Sequence, residues 1–133
     1  MPQYDLENFD PPAPVAFVTL QNPATGALLS SVPLLIDSGA DVTLLPRRCL
    51  DGLQLTPIPQ QKYELQGFDG LTSQWLEVTR LQMKFLGKNF TGKFLLIDQP
   101  MGILGRNILN SLALVLDGSG LSWAEFKPNE PLE

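Results

Sequence analysis

The chain has 133 residues, a net charge of −5, a hydrophobic fraction of 44% and a charged fraction of 17%, which fits one domain with a modest core and not two. The acidic balance lacks the clustered Lys and Arg of a nucleic-acid surface, so no nucleic-acid partner is expected. With 0 histidines and the single Cys49, a Ser-His-Asp or Cys-His pair, an imidazole zinc site, an intrachain disulfide and a multi-thiolate metal site are all excluded.

In chain order, residues 1–14 carry Pro2, Pro11, Pro12 and Pro14 and read as a flexible, extended arm. Its start, Met1-Pro2-Gln3-Tyr4-Asp5, does not resemble a secretory signal. Val15 to Leu20 is β-branched and aromatic, hence a strand. The turn cluster Asn22-Pro23-Ala24-Thr25-Gly26 leads into a second strand from Ala27 to Leu35, giving a hairpin. Val32 to Ile36 is almost wholly apolar, as in a strand buried on both faces, and ends abruptly at Asp37-Ser38-Gly39-Ala40-Asp41. Val42 to Pro46 resumes an apolar strand.

Residues 47–61 are polar and proline-rich and read as loop. Tyr63 to Gly70 and Leu71 to Thr79 alternate around Gly67-Phe68-Asp69-Gly70, the pattern of a hairpin with a flexible tip. Leu81 to Leu86 and Phe90 to Ile97 follow as two strands across Gly87-Lys88-Asn89. Gly105 to Leu112 is the only convincing helix. Leu114-Val115-Leu116 and Leu121 to Phe126 form a last hairpin around Asp117-Gly118-Ser119-Gly120, and residues 127–133 read as a flexible tail. Many short strands at close spacing predict an all-β barrel or sandwich over residues 15–126. No stretch approaches the ~20 apolar residues needed to span a membrane, so no membrane partner is expected.

Without histidine, acid–base chemistry falls to carboxylates, hydroxyls, Lys and Tyr. An Asp directly after five apolar residues is an unusual way to end a strand, and its neighbours explain it. Gly39 permits a tight turn and close backbone approach, and Ser38 supplies a hydroxyl able to tie down a loop or a neighbouring chain. The result is a carboxylate displayed at the mouth of an apolar environment. Such triplets are often plain turns, but apolar strands bracket this one on both sides. Downstream, Met101-Gly102-Ile103-Leu104-Gly105-Arg106-Asn107-Ile108-Leu109 places a glycine just before the helix, where it would let helix and strand pack against the Asp37 loop.

Leu34-Leu35-Ile36-Asp37-Ser38-Gly39-Ala40-Asp41 paired with Gly102 to Leu109 resembles the retropepsin family, the retroviral and retrotransposon aspartic proteases and their cellular relatives. The resemblance covers roughly residues 15–126 and implies a closed β-barrel with a flap hairpin and one short C-terminal helix. It implies that Asp37 is catalytic, that Ser38 interlocks two active-site loops across a dimer axis, and that the Gly39 carbonyl contacts substrate main chain. Ala40 completes the active-site loop, and Asp41 lies at the cleft edge, where Arg106 pairs with it. Gly105 and Asn107 belong to the supporting motif. Gly67, Phe68, Asp69 and Gly70 fall where the flap tip would grip substrate, although this segment departs from the glycine-richer flap of several retroviral members.

Aspartic protease chemistry requires two carboxylates sharing one proton, and this sequence has one such motif. Asp51-Gly52, Asp69-Gly70 and Asp117-Gly118 lack its context. The resemblance therefore implies a homodimer that cleaves peptide or polyprotein substrates with no metal and no cofactor, in the cytoplasm or in a viral or retroelement particle. Leu121 to Phe126 and the segment around Phe9 to Leu20 are candidate interface strands, with Trp123 and Phe126 as either anchors or core. Two other readings are a non-catalytic module of the same fold that dimerises or binds peptides, against which the intact Asp37-Ser38-Gly39 argues, and an unrelated small β-barrel.

Overall fold

The computed structural model describes residues 2–66 and 73–128. In chain order its elements are β1 (Tyr4–Asp5), β2 (Ala13–Gln21), β3 (Leu28–Ile36), β4 (Leu44–Pro46), α1 (Cys49–Leu53), β5 (Lys62–Gln66), β6 (Ser73–Phe85), β7 (Lys88–Ile97), β8 (Gly102–Leu104), α2 (Arg106–Leu109), β9 (Leu114–Asp117) and β10 (Ser122–Glu125). The strands β2-β3-β8-β4-β7-β6 follow one another by pairing, and β2 also pairs with β6, so the six form a closed ring. A separate hairpin joins β9 to β10. The architecture is mostly β, as the sequence predicts.

The alternation of β2 and β3 explains which face turns inward. Val18, Leu20, Val32 and Leu34 are buried while Phe17 on the opposite face is exposed, as a period of two requires. Between the pairs Val18↔Val32 and Leu20↔Leu29 the register shifts, leaving an extra residue on β3, where Ser31 adopts a φ of 58°. Such a bulge sharpens strand twist, and immediately beside it Thr19 to Gln21 of β2 pairs with β6, closing the ring. The fully buried Leu20, Leu34, Leu45, Leu53, Leu81, Met83 and Leu104 fill the interior. Each is worth ~1.5–3 kcal/mol over an exposed position.

Several elements differ from the sequence reading. Within the expected loop 47–61 lies α1, with Cys49, Leu50 and Leu53 buried. Its five residues include Gly52 and its N-cap makes no side-chain bond, so packing and not helix propensity forms it. The two strands expected on either side of Arg80 are one 13-residue strand, β6. It pairs with β5 through Glu77 and with β7 from Val78 onward, so the change of partner falls inside a continuous backbone. The turn after it is the two-residue Leu86-Gly87, both at positive φ, as tight hairpins demand. The run Val32 to Ile36 is not buried on both faces, since Pro33, Leu35 and Ile36 are only half-buried.

The N-terminal segment is also more than a free arm. Tyr4 and Asp5 pair with Pro14 and Ala13, Tyr4 N–H donates to the Leu121 carbonyl at 2.8 Å, and Trp123 N–H donates to the Pro2 carbonyl at 3.0 Å. Trp123 belongs to the core of its own chain. It is 3% exposed, its Nε1–H donates to the Val15 carbonyl at 3.1 Å, and its ring lies 6.0 Å from that of Phe85. No helix among the described residues is long and apolar enough to cross a membrane.

Candidate active site

Asp37 is the first residue past β3. Strand β3 runs parallel to β8, pairing Leu34↔Gly102, Leu35↔Ile103 and Ile36↔Leu104, and Asp37 N–H extends this by donating to the Leu104 carbonyl at 3.1 Å. The chain then turns, with Ala40 N–H returning to the Asp37 carbonyl at 3.2 Å. Gly39 N–H donates to Asp37 Oδ1 at 2.9 Å, so the turn itself aims the carboxylate. Gly39 does not use the left-handed region. What its missing side chain provides is room, because a Cβ there would stand 3.1 Å from Asp37 Oδ1. Asp37 is half-buried, while Ser38 and Gly39 are exposed.

The loop is braced from behind by the start of α2. Arg106 N–H donates to the Ala40 carbonyl at 2.9 Å and Asn107 N–H to the Asp41 carbonyl at 3.3 Å. The Arg106 guanidinium forks between the Ser38 carbonyl, at 2.6 Å, and the Asp41 carboxylate, with which it forms an ion pair. Asp41 is 80% exposed at its side chain, so the pair adds at most about 1 kcal/mol and acts chiefly by fixing geometry. The approach of Gly105 to the loop is closer still. Its φ of −96° suits any residue, yet a Cβ would lie 2.3 Å from the Val42 carbonyl oxygen.

One residue of this bracing goes unremarked in the sequence. Thr43 is 1% exposed, and its hydroxyl accepts from Gly105 N–H at 3.0 Å while donating to Asn107 Oδ1 at 2.7 Å. The available signal was that Thr43 is the only polar residue in Val42-Thr43-Leu44-Leu45. A buried polar group requires partners, and here the partners are the two ends of the supporting motif.

The loop opens on a cleft of about 360 Å³ lined by Asp37, Gly39, Ala40 and Asp41 together with the apolar Val42, Leu44, Ile103 and Leu65, and by Gln66. Leu65 and Gln66 come from the end of β5, whose last pair with β6 is Gln66↔Ser73. The four flap-tip residues Gly67, Phe68, Asp69 and Gly70 lie outside the described residues. The structure thus gathers Asp37, Ser38, Gly39, Ala40, Asp41, Gly105, Arg106 and Asn107 into one unit. Chemically this is one carboxylate oriented by a backbone N–H, Asp37, beside a largely apolar cleft whose other acid, Asp41, is held in its ion pair with Arg106. Among the described residues no group of three or more His, Cys, Asp or Glu side chains could hold a metal ion.

Residues 12–117 match the family described as retroviral aspartyl protease, and the chain belongs to that family. Among solved structures it is similar to EIAV protease in complex with the inhibitor HBY-793, with a TM-score of 0.54 and 24% identity over 81% of this chain and 91% of that one. At that identity the likeness concerns the fold. Among curated proteins none matches. Family and fold together are those of aspartic proteases.

Proposed function

We propose that this chain is an aspartic endopeptidase active as a homodimer, each copy giving one Asp37 to a water-activating dyad. The observation that carries the reading is the Asp37 carboxylate, oriented by Gly39 N–H at the edge of an apolar cleft and without a second such motif in the chain. A single carboxylate cannot serve as base and acid at once. Two copies related by a two-fold axis supply both.

In the dimer one Asp37 is ionised and takes a proton from water as the water oxygen attacks the scissile carbonyl carbon. The other is protonated and gives its proton to the carbonyl oxygen, producing a tetrahedral diol. Collapse of the diol breaks the C–N bond, with a proton passed to the departing nitrogen, and yields one acid and one amine. Val42, Leu44, Leu65 and Ile103 favour an extended peptide with apolar side chains near the scissile bond.

The test is Asp37→Asn. The amide keeps an Oδ1 acceptor for Gly39 N–H, so folding and dimerisation should persist while cleavage of a peptide library disappears. Proteolysis at wild-type rate in this variant sinks the assignment. Wild-type activity should yield to mimics of the tetrahedral diol and withstand chelators.

A further inference from the structure

We propose that the groove between the N-terminal segment and the outer wall of β2 and β3 is an exosite of the Asp37 cleft. It holds a part of the substrate chain beyond the scissile region that carries apolar side chains together with Lys or Arg. This rests on the protease reading above and goes past it, since the cleft alone says nothing of what the rest of a substrate carries. The groove has a volume of about 720 Å³, against about 360 Å³ for the cleft. Its apolar lining comes from Tyr4, Leu6, Val15, Phe17, Pro33 and Met101. Leu6 is 61% and Phe17 63% exposed, and Phe17 stands directly opposite Pro33 on the paired strand. Large apolar side chains left in water around one concavity mark a binding surface.

The groove is built in advance of any occupant. The Asp5 carboxylate folds residues 5–8 back on themselves, accepting from Glu7 N–H and Asn8 N–H at 2.9 Å each and from Asn8 Nδ2 at 2.8 Å. Strand β1 fixes this loop to β2 through Tyr4↔Pro14 and Asp5↔Ala13, so little chain entropy is left to lose on binding. Among the described residues, Asp5 and Glu7 are the only charges lining the groove, and charge chooses among its occupants. The tail Asn129-Glu130-Pro131-Leu132-Glu133 is acidic. A second copy meeting this face about a two-fold axis would set Asp5 and Glu7 against like groups. Lys or Arg on a separate chain meets opposite charge. The groove also continues from the cleft, because Met101 lines the one and Ile103 the other. Two residues of extended chain span about 7 Å, so a substrate running past Ile103 reaches the groove within a few residues.

The binding probe is a fluorescein-labelled peptide of repeated Lys-Leu-Lys-Phe, and its counterpart has Glu in place of Lys. Both are titrated with the full chain and read by anisotropy. The Lys peptide should bind at least about tenfold more tightly, Phe17→Ser should weaken it about tenfold, and Glu7→Lys should narrow the gap between the two peptides. Both variants change exposed side chains, so their thermal transitions should match the wild type. Leu28→Ser, at an exposed leucine outside the groove, should leave both affinities unchanged. For cleavage, a short peptide cut by the wild type is extended with the Lys repeat at one end or the other. One of the two extensions should raise kcat/KM about tenfold through KM, and the ratio of extended to short peptide should fall to about one in Phe17→Ser. Equal binding of the two probes, an affinity indifferent to Phe17→Ser, or extended peptides cut no better than the short one overturns the exosite. Tighter probe binding in Leu132→Ser would give the groove to the chain's own tail, and loss of self-association in Phe17→Ser would give it to a second copy; either overturns it too. A chain that binds the Lys probe as stated and cleaves no peptide sinks the protease reading while the groove's ligand stands. Cleavage of short and extended peptides alike does the reverse.

Discussion

Replacing Thr43 with Val tests the bracing of the Asp37 loop most directly, because the two side chains have nearly the same shape and only the hydroxyl is lost. In the wild type that hydroxyl serves two groups, the buried Gly105 N–H and Asn107 Oδ1. Asn107 is exposed and can turn to water, so its loss costs little. Gly105 is buried against Val42, and an unsatisfied buried N–H costs about 1–3 kcal/mol. No cavity opens, so the whole effect is ~2 kcal/mol, a substantial part of a total stability of about 5–15 kcal/mol. For a domain of this length that is a fall in Tm of about 6–10 °C. Thr43→Ser retains the hydroxyl and sheds one buried methyl, for roughly 0.8 kcal/mol. Urea melts at one fixed protein concentration, since dimers melt in a concentration-dependent way, should rank wild type above Ser above Val with equal m-values. A Val variant within about 0.5 kcal/mol of wild type would refute the argument, as would a Ser variant less stable than Val.

Two further substitutions probe the same region by different physics. Gly105→Ala places a Cβ 2.3 Å from the Val42 carbonyl oxygen, whereas Gly92→Ala meets nothing within 4 Å. Overpacking of this severity costs about 3 kcal/mol or more, so the first should melt far below the second in a thermal scan, and equal Tm values would contradict the close approach. Cys49 gives a pH dependence of definite sign. Burial pushes its thiol above the ordinary value of 9.0, with Arg48 pulling weakly the other way. Above that value the unfolded chain loses a proton that the folded chain keeps, so stability is intact at lower pH and falls as pH rises, by at most about 1.4 kcal/mol per pH unit. Cys49→Ala should flatten the slope of urea stability against pH between about 8 and 10, and an unaltered slope would show the thiol to be uninvolved.

What could be read from the sequence and what could not divide along the range of the interactions. Asp37-Ser38-Gly39-Ala40 announces itself because a charge after Val32 to Ile36 violates the local pattern, and a violation within a few residues is visible in one dimension. Gly105 is visible for a similar reason, standing between an apolar run and a helix. Thr43 is not, because its meaning lies in two groups more than sixty residues away, and a lone Thr in an apolar segment is unexceptional until those groups surround it. Helix α1 hides for the same cause, since its Gly52 and weak cap argue for loop and only the core beneath Cys49, Leu50 and Leu53 argues otherwise. The sequence suggests a division at Arg80 because the alternation changes phase there, Val78 and Thr79 both being buried, and only the exchange of partners along β6 shows that the backbone runs on unbroken.

The proposed function makes two kinds of defect separable in solution. Weaker pairing between copies would reduce the number of assembled sites, and raising the protein concentration would restore it. A loosened Asp37 loop would reduce the competence of each site, and no concentration would compensate for carboxylates displaced by a fraction of an ångström, because the catalytic geometry tolerates little error. The Thr43 hydroxyl holds Gly105 N–H and Asn107 Oδ1 behind that loop, so the specific activity of Thr43→Val should saturate below that of the wild type as the chain is concentrated. Recovery of the full wild-type value on concentration would show Thr43 to act through assembly, and the bracing assigned to its hydroxyl would be incorrect.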